Sequence, residues 1–445
     1  MSTQPLPGFR DFYPAEFAFR AHIFETWRRV ARRYGFEEYD GPPLEPLELY
    51  TAKSGEEIVG QLYNFTDKGG REVSLRPEMT PTVARMVAAR AGGMKKPIRW
   101  YSIAQFYRYE RQQRGRLREF YQLNCDLIGE AGPLADAELI GLAVDLMRGF
   151  GLGPADVRVR MSDRRVLTAV TAELGLSEPQ TAVLFQVLDK FGRTPEDVSR
   201  AKLAEAGIAE GAQGKILQLC AERTLPGLAA ALGSSPRVTE AIAPLQRTVA
   251  ALEGMGLGEF VDIDFTIVRG LAYYTGTVFE LFDAGRSLRA IAGGGRFDGL
   301  LKLLGGVDLP AVGFAIGDVV LGELLKDRGL APATPATIDA FVAGVTEEDL
   351  PYVLRAAHQL RDGGIRVEYA LKTDALGKQL KLADAREAAL AIVIGPDDRA
   401  RGEAQIKDLR HKTQSAVALT HLVDAVKHAM AGHMGQAAGE KGHHG

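Results

Sequence analysis

The sequence predicts an α+β chain: a strand-rich core interrupted by a helical stretch, then a small α/β unit. Three observations predict it. Residues Ala104 to Ile128 read as a hairpin whose arms alternate in polarity. Residues 156–250 are dominated by Ala, Leu, Glu and Lys without strand signals. Beyond the Pro/Thr/Ala linker Pro332–Thr337, strand-like and helix-like segments take turns, a βαβα pattern.

Taken in order, residues 15–34 read as an amphipathic helix with Phe17, Phe19, Ile23, Phe24 and Trp27 at apolar positions. Arg28, Arg29, Arg32 and Arg33 gather at its C-terminal end, where the helix dipole favours cations. Gly41-Pro42-Pro43 and Pro46 break the chain into a loop or edge strand. The run Glu72–Pro77 is strand-like and meets a helix at Thr80-Pro81, with Thr80 expected as N-cap and Pro81 at the first helical position; Glu78 stands at that junction. In the hairpin, successive side chains point to opposite faces. Ala104, Phe106, Arg108 and Glu110 therefore share a side, as do Phe120, Gln122, Asn124 and Asp126, while Tyr121, Leu123, Cys125 and Leu127 fill the other. A face carrying Arg108, Glu110, Gln122 and Asp126 packs poorly but suits a zwitterionic or phosphate-bearing ligand.

Strand signals return at Asp262, and Arg269–Thr277 leads into the strand Val278–Phe282. Ala290–Arg296, with Gly293, Gly294 and Gly295, is expected to form a strand-to-helix turn whose backbone approaches a ligand. After the linker, strands near Ile338–Ala343, Arg366–Ala370 and Leu390–Ile394 alternate with helices near Tyr352–Asp362 and Leu376–Ala385. Gly432–Gly445 reads as a frayed tail.

The composition narrows the chemistry. With 445 residues, 46% hydrophobic and 25% charged, the chain is that of an ordinary globular protein, and a net charge of -3 gives no global attraction to polyanions. Cys125 and Cys220 are the two cysteines, which suits a reducing compartment; no apolar run spans a bilayer and no signal peptide is evident, so a cytoplasmic protein is expected. His22 stands alone until His358, so chemistry centred on residues 75–320 has no imidazole. That argues against a Ser-His-Asp triad and against His-ligated zinc there, and no Gly-Lys-Ser/Thr phosphate loop is present.

These segments resemble the histidyl-tRNA synthetase family, a class II aminoacyl-tRNA synthetase branch. The runs that carry the likeness are Gly8–Pro14, Leu75–Thr80, Phe106–Arg111 with Glu119–Gln122, Arg269–Tyr274 and Ala292–Asp298, and it extends from about Pro7 to Val426. The resemblance implies a catalytic core with an antiparallel sheet flanked by helices (1–155 and 251–331), a helical insertion (156–250), an anticodon-binding α/β domain (337–428) and a disordered tail (429–445). It implies a homodimer with no membrane association, and L-histidine, ATP with Mg2+, and tRNA(His) as substrates and partners. No metal ligands are identified.

Residue by residue, Arg108 and Arg269 resemble the catalytic arginines. Glu78, Thr80, Gln122, Asp126, Arg269, Tyr273 and Tyr274 resemble the histidine site, with Asp126 and Tyr274 reading the imidazole. Arg108, Glu110, Arg116, Phe120, Gly293, Gly294, Gly295 and Arg296 resemble the ATP site, and Arg111–Arg118 is similar to the loop that closes over it. The chain departs from the family at Val320, where the third motif usually has an arginine that stacks on adenine; the sequence does not settle what replaces it, and Arg296 is one candidate. Ala272, Asp126 and Gln112 stand where Asp, Glu and Pro are common. Two other readings compete. One is a regulatory subunit of ATP phosphoribosyltransferase, which shares the core and lacks the C-terminal domain; the other is an RNA-binding module on the same scaffold.

Overall fold

The computed structural model describes residues 3–51, 60–111, 113–227, 235–268, 274–285, 287–332, 337–372 and 374–440, with side chains followed to residue 431. The chain divides into two compact units, Met1–Pro332 and Ala333–Gly445.

The strands of the first unit are β1 (Glu37–Glu38), β2 (Leu44–Pro46), β3 (Tyr63–Thr66), β4 (Glu72–Leu75), β5 (Ile98–Tyr107), β6 (Glu119–Ile128), β7 (Val157–Asp163), β8 (Val261–Ile263), β9 (Thr277–Asp283), β10 (Ala292–Arg296) and β11 (Ala311–Gly317). Eight of them form one sheet in the order β1-β5-β6-β11-β10-β9-β7-β8. The six central strands are antiparallel throughout, and only the edges β1 and β8 pair in parallel. Strands β2, β4 and β3 make a small second sheet.

The expected hairpin is β5–β6, in a register that sets Ala104 opposite Gln122 and Phe106 opposite Phe120. The alternation then sorts the two faces. Leu123, Cys125 and Leu127 are buried in one core with Ile23 and Trp27 of the helix Pro14–Arg33 and with the helix Pro133–Arg148. Each fully buried leucine contributes about 1.5–3 kcal/mol to this packing. The opposite face, carrying Gln122, Asn124 and Asp126, borders a cavity instead. Arg28 and Arg32 both pair with Glu38, so the arginine-rich end of the first helix is tied to β1. Phe17, expected among its apolar positions, is exposed.

Four expectations are corrected. Thr80 begins the helix Thr80–Arg90 rather than capping it; Met79 holds the N-cap position, without a side-chain cap bond. The stretch 156–250 is not helical from its start, because Val157–Asp163 is a strand of the main sheet paired to β9. The glycine run is the interior of β10, not a strand-to-helix turn, and the next helix, Leu300–Gly305, is a short one. The tail is helical further than expected: Leu422–Glu440 is one helix, with 441–445 outside the described residues.

The second unit has a five-stranded sheet, β13-β12-β14-β15-β16, of β12 (Ala340–Gly344), β13 (Val367–Tyr369), β14 (Leu390–Ile394), β15 (Glu403–Asp408) and β16 (Gln414–Ala418). Its first three strands are parallel, as the alternation with the helices Leu350–Asp362 and Leu376–Ala385 requires. The antiparallel pair β15–β16 was not anticipated: its strands are short and β16 is almost wholly exposed.

Candidate active site

Two adjoining cavities open on the ligand face of the main sheet. The first, about 320 Å³, is lined by Glu78, Thr80, Gln122, Asn124, Asp126 and Tyr274, with Gly313 in its floor. The second, about 250 Å³, is lined by Glu110, Arg116, Phe120, Arg289 and Val320. Arg108, Gln122, Glu280 and Gly293 border both, so whatever fills one cavity meets the occupant of the other there.

Each wall has a local cause. The turn carrying Glu78 is held by Arg76, whose buried guanidinium donates to the Gln105 carbonyl at 2.9 Å and the Gly41 carbonyl at 2.7 Å, and pairs with Asp40 at 2.8 Å. Arg108 follows the end of β5, and its Nε donates to the Pro77 carbonyl at 2.9 Å. That bond fixes the distance between Arg108 and Glu78. Glu110 is buried and forms an ion pair with Arg116, while Arg108 approaches it to 4.0 Å. The loop expected over the site is tied down beyond Gln112, which lies outside the described residues. Gln113 bridges Arg116, and Arg114 reaches Glu323 at 3.2 Å and Asp327 at 3.5 Å. Arg108 also lies over the Phe120 ring, 5.3 Å from its centroid. Beside Asp126, burial pushes the Cys125 thiol well above its usual value, which leaves it unreactive.

The glycines divide by what surrounds them. A Cβ on Gly293 would meet Glu280 Cγ only at 3.7 Å, so this position is open toward the cavities. Gly294 borders the first cavity alone, and a Cβ there would lie 2.4 Å from the Gly313 carbonyl oxygen. Gly295 reaches neither cavity; a Cβ would lie 2.7 Å from the Thr277 carbonyl oxygen and 3.0 Å from the Tyr274 ring, so its absence makes room for that ring. Arg296 reaches neither cavity as well, against expectation. It is 1% exposed, donates from Nε to Asp136 at 3.0 Å and from Nη1 to the Glu130 carbonyl at 3.0 Å, and pairs with Asp298 at 3.1 Å. Burial pushes Asp136 up to about 6 while Arg296 pulls it down, so at neutral pH it is an anion facing that guanidinium. Arg296 is therefore a structural tie and does not replace the arginine absent at Val320. Arg269 and Tyr273 lie outside the described residues.

Sequence reasoning missed Glu280, Arg289, Arg76 and Gly313. Glu280 left a signal: it is a lone acid in the otherwise apolar run Val278–Phe282. Gly313 pairs with Asp126 across β11–β6, and a Cβ there would fall 2.2 Å from Asp126 Oδ1. Gly313→Ala is expected to displace that carboxylate and weaken binding of the first cavity's ligand about tenfold, at an overpacking cost of about 1–3 kcal/mol. Calorimetric titration would show it; unchanged affinity would mean Asp126 does not face the ligand.

Among the described residues no group of three or more His, Cys, Asp or Glu could hold a metal ion. What surrounds the two cavities is arginine, carboxylate and backbone, an arrangement suited to binding a zwitterion beside a polyphosphate and stabilising charge between them.

Comparison with known proteins gives one answer. The family "Histidyl-tRNA synthetase" matches residues 8–318, and "Anticodon binding domain" matches residues 339–429. The chain is 46% identical to the histidine--tRNA ligase of Opitutus terrae over 93% of this chain and 95% of that one. It is 39% identical to that of Thermoplasma volcanium over 95% and 98%. Its fold is similar to the crystal structure of histidyl-tRNA synthetase from Nostoc sp. PCC 7120, with a TM-score of 0.83 and 26% identity, covering 96% of this chain and 99% of that one. With the family model over residues 8–318 and a relative 46% identical over 93% of this sequence, the chain belongs to the histidyl-tRNA synthetase family.

Proposed function

We propose that the 320 Å³ cavity holds L-histidine and the 250 Å³ cavity holds ATP, in a histidine--tRNA ligase that forms histidyl-adenylate and passes histidine to tRNA(His). The observation that carries the reading is the shared border: Arg108 lines both cavities at the place where a carboxylate from one would meet a phosphate from the other.

In the first step a carboxylate oxygen of histidine attacks the α-phosphorus of ATP, and pyrophosphate leaves with the electron pair of the broken P–O bond. Negative charge grows on the phosphoryl oxygens, and the fixed guanidinium of Arg108 offsets it without having to reorganise. No proton is removed from the nucleophile, so the absence of histidine side chains from 23 to 357 is no handicap. Arg269, outside the described residues, is assigned to the α-phosphate by its resemblance to the family's second catalytic arginine. Mg2+ bound with the nucleotide would be held mainly by its phosphates and would offset their charge. In the second step a ribose hydroxyl of the tRNA end attacks the adenylate carbonyl, its proton passes to a phosphoryl oxygen of the adenylate, and AMP departs with the electron pair of the broken C–O bond.

Glu78, Thr80 and Gln122 are assigned to the amino group of histidine, and Asp126 and Tyr274 to its ring nitrogens. A site built to hydrogen-bond a ring N–H rejects ligands without one, because the buried acceptor would be left unpaired. Asp126→Ala is expected to raise the KM for histidine about 30-fold, with that for ATP within twofold, in steady-state exchange assays. Glu110 and Phe120 are assigned to the adenine. The second unit, which matches the anticodon-binding family, is assigned to tRNA. A homodimer in the cytoplasm fits the family, and no described helix is long and apolar enough to cross a membrane.

A solved structure from Bacillus halodurans, titled as an ATP phosphoribosyltransferase regulatory subunit/histidyl-tRNA synthetase, shares the fold at 22% identity. The arginine at the junction of the two cavities favours the ligase over a regulatory subunit. Charging assays with labelled histidine and a tRNA(His) transcript decide between them. Histidyl-tRNA should accumulate only with ATP present; none, with histidine still bound, would establish a sensor.

A further inference from the structure

We propose that a groove beside the 320 Å³ cavity binds a second ligand, a small phosphorylated molecule with an apolar body, which acts on histidine binding through Tyr274. The groove has a volume of about 920 Å³, near the upper end for small-molecule sites. It lies between the helices Arg164–Glu173 and Pro236–Gly254, which run antiparallel. Ser235, just ahead of the second helix, donates from Oγ to Glu173 at the end of the first at 2.8 Å. The Arg164 N–H, at the start of the first, donates to the Gly276 carbonyl at 2.9 Å, beside Tyr274 and Thr275 of the groove wall. Arg237 and Arg247 are separated by about 15 Å along the second helix, so they mark the two ends of the groove. Arg247 stands with Arg164 at the Tyr274 end, and Arg237 with Glu240 at the other.

Charge is distributed unequally along the groove. Arg165 is committed to Asp163, with Nε 2.9 Å from Oδ1 and Nη2 2.5 Å from Oδ2. Among the described residues no carboxylate pairs with Arg164 or Arg247, so two guanidiniums are left for an anion at the Tyr274 end. At the far end Glu240 offsets the charge of Arg237 one turn away, and the wall between the ends is Ala169, Ala172, Ala241 and Pro244. Two guanidinium forks suit a phosphate, and the alanine trough suits an apolar body. A nucleic-acid strand carries a charge at every nucleotide, and the uncharged middle of the groove would leave some of them unmatched, which favours a small ligand charged at one end. Tyr274 lines both the groove and the 320 Å³ cavity, and its ring lies against Gly295. An occupant that touches this ring from the groove bears on the hydroxyl assigned to the imidazole, and such coupling is reciprocal.

The groove stands apart from the histidine assignment above, and only the coupling rests on it. Calorimetric titration of the full-length protein takes phenyl phosphate as the probe and inorganic phosphate as its body-free half. Phenyl phosphate should bind at least about tenfold more tightly than inorganic phosphate. Arg164→Gln and Arg247→Gln should each weaken it about tenfold, and Arg237→Gln by no more than about twofold. Ala241→Phe, which fills the trough, should exclude phenyl phosphate and keep inorganic phosphate. Saturating phenyl phosphate should change histidine affinity about fivefold, and histidine should change phenyl phosphate affinity by the same factor. Phenyl phosphate affinity that survives Arg164→Gln and Arg247→Gln, or that is lost in Arg108→Ala at the nucleotide cavity, would overturn the site. So would a loss of tRNA(His) affinity in those two groove variants with no phenyl phosphate bound by the unsubstituted protein, which would make the groove an RNA contact. Bound phenyl phosphate without any change in histidine affinity would overturn the coupling. If the unsubstituted protein binds no histidine, the histidine assignment itself fails. Unaltered histidine binding in the absence of the probe shows that each variant is folded.

Discussion

Arg108→Ala is expected to slow histidine-dependent ATP–pyrophosphate exchange by about 100- to 1,000-fold, the usual effect of removing one preorganised donor from a site of developing charge. The loss should fall on kcat more than on either KM, since the charge that Arg108 offsets grows only in the transition state. Part of the effect is positional. The side chain also holds the Pro77 carbonyl, and with it the turn that presents Glu78. Arg108→Lys separates the two contributions: it keeps the charge but cannot donate to Pro77 and reach the cavity together. Its activity should lie between the two and nearer to alanine. A kcat within about fivefold of the unsubstituted protein in Arg108→Ala would remove Arg108 from the chemistry.

The second large effect concerns stability. Asp136→Ala is expected to destabilise the first unit by about 3 kcal/mol, because it strands a guanidinium that is buried beneath β10. Asp136 and Arg296 are each 1% exposed, whereas the remaining partner, Asp298, is 40% exposed and offsets less of the loss. The pair is expensive to break without being strongly stabilising in itself. The double variant Asp136→Leu/Arg296→Met should therefore lose less than Asp136→Ala alone. The Glu130 and Gly132 carbonyls, which accept from Arg296, set the residual cost. Urea titration reads both. A shift under about 1 kcal/mol for Asp136→Ala would mean water reaches the pair.

How much of this could be read from sequence depended on periodicity. The two-residue alternation of Phe120–Leu127 gave the sheet face and the cavity side chains together, since strand geometry allows no other placement. The arginine at 296 misled because glycine is uncommon in strands: Gly293–Gly295 read as a turn, and a turn would have pointed Arg296 at the ligand. In the structure Gly294 and Gly295 are small because neighbouring backbone and the Tyr274 ring lie against them, and the strand carries Arg296 inward to Asp136. Asp136 gave no warning, being one acid in the first turn of a helix. In the second unit β16 has no apolar alternation to reveal it, because it is an exposed edge.

The central claim is that one cavity selects histidine and delivers its carboxylate to a nucleotide in the next. ATP–pyrophosphate exchange with each amino acid in turn tests it most directly. Exchange with histidine alone is the predicted result. No exchange with histidine, or equal exchange with an amino acid lacking a ring N–H, would contradict it.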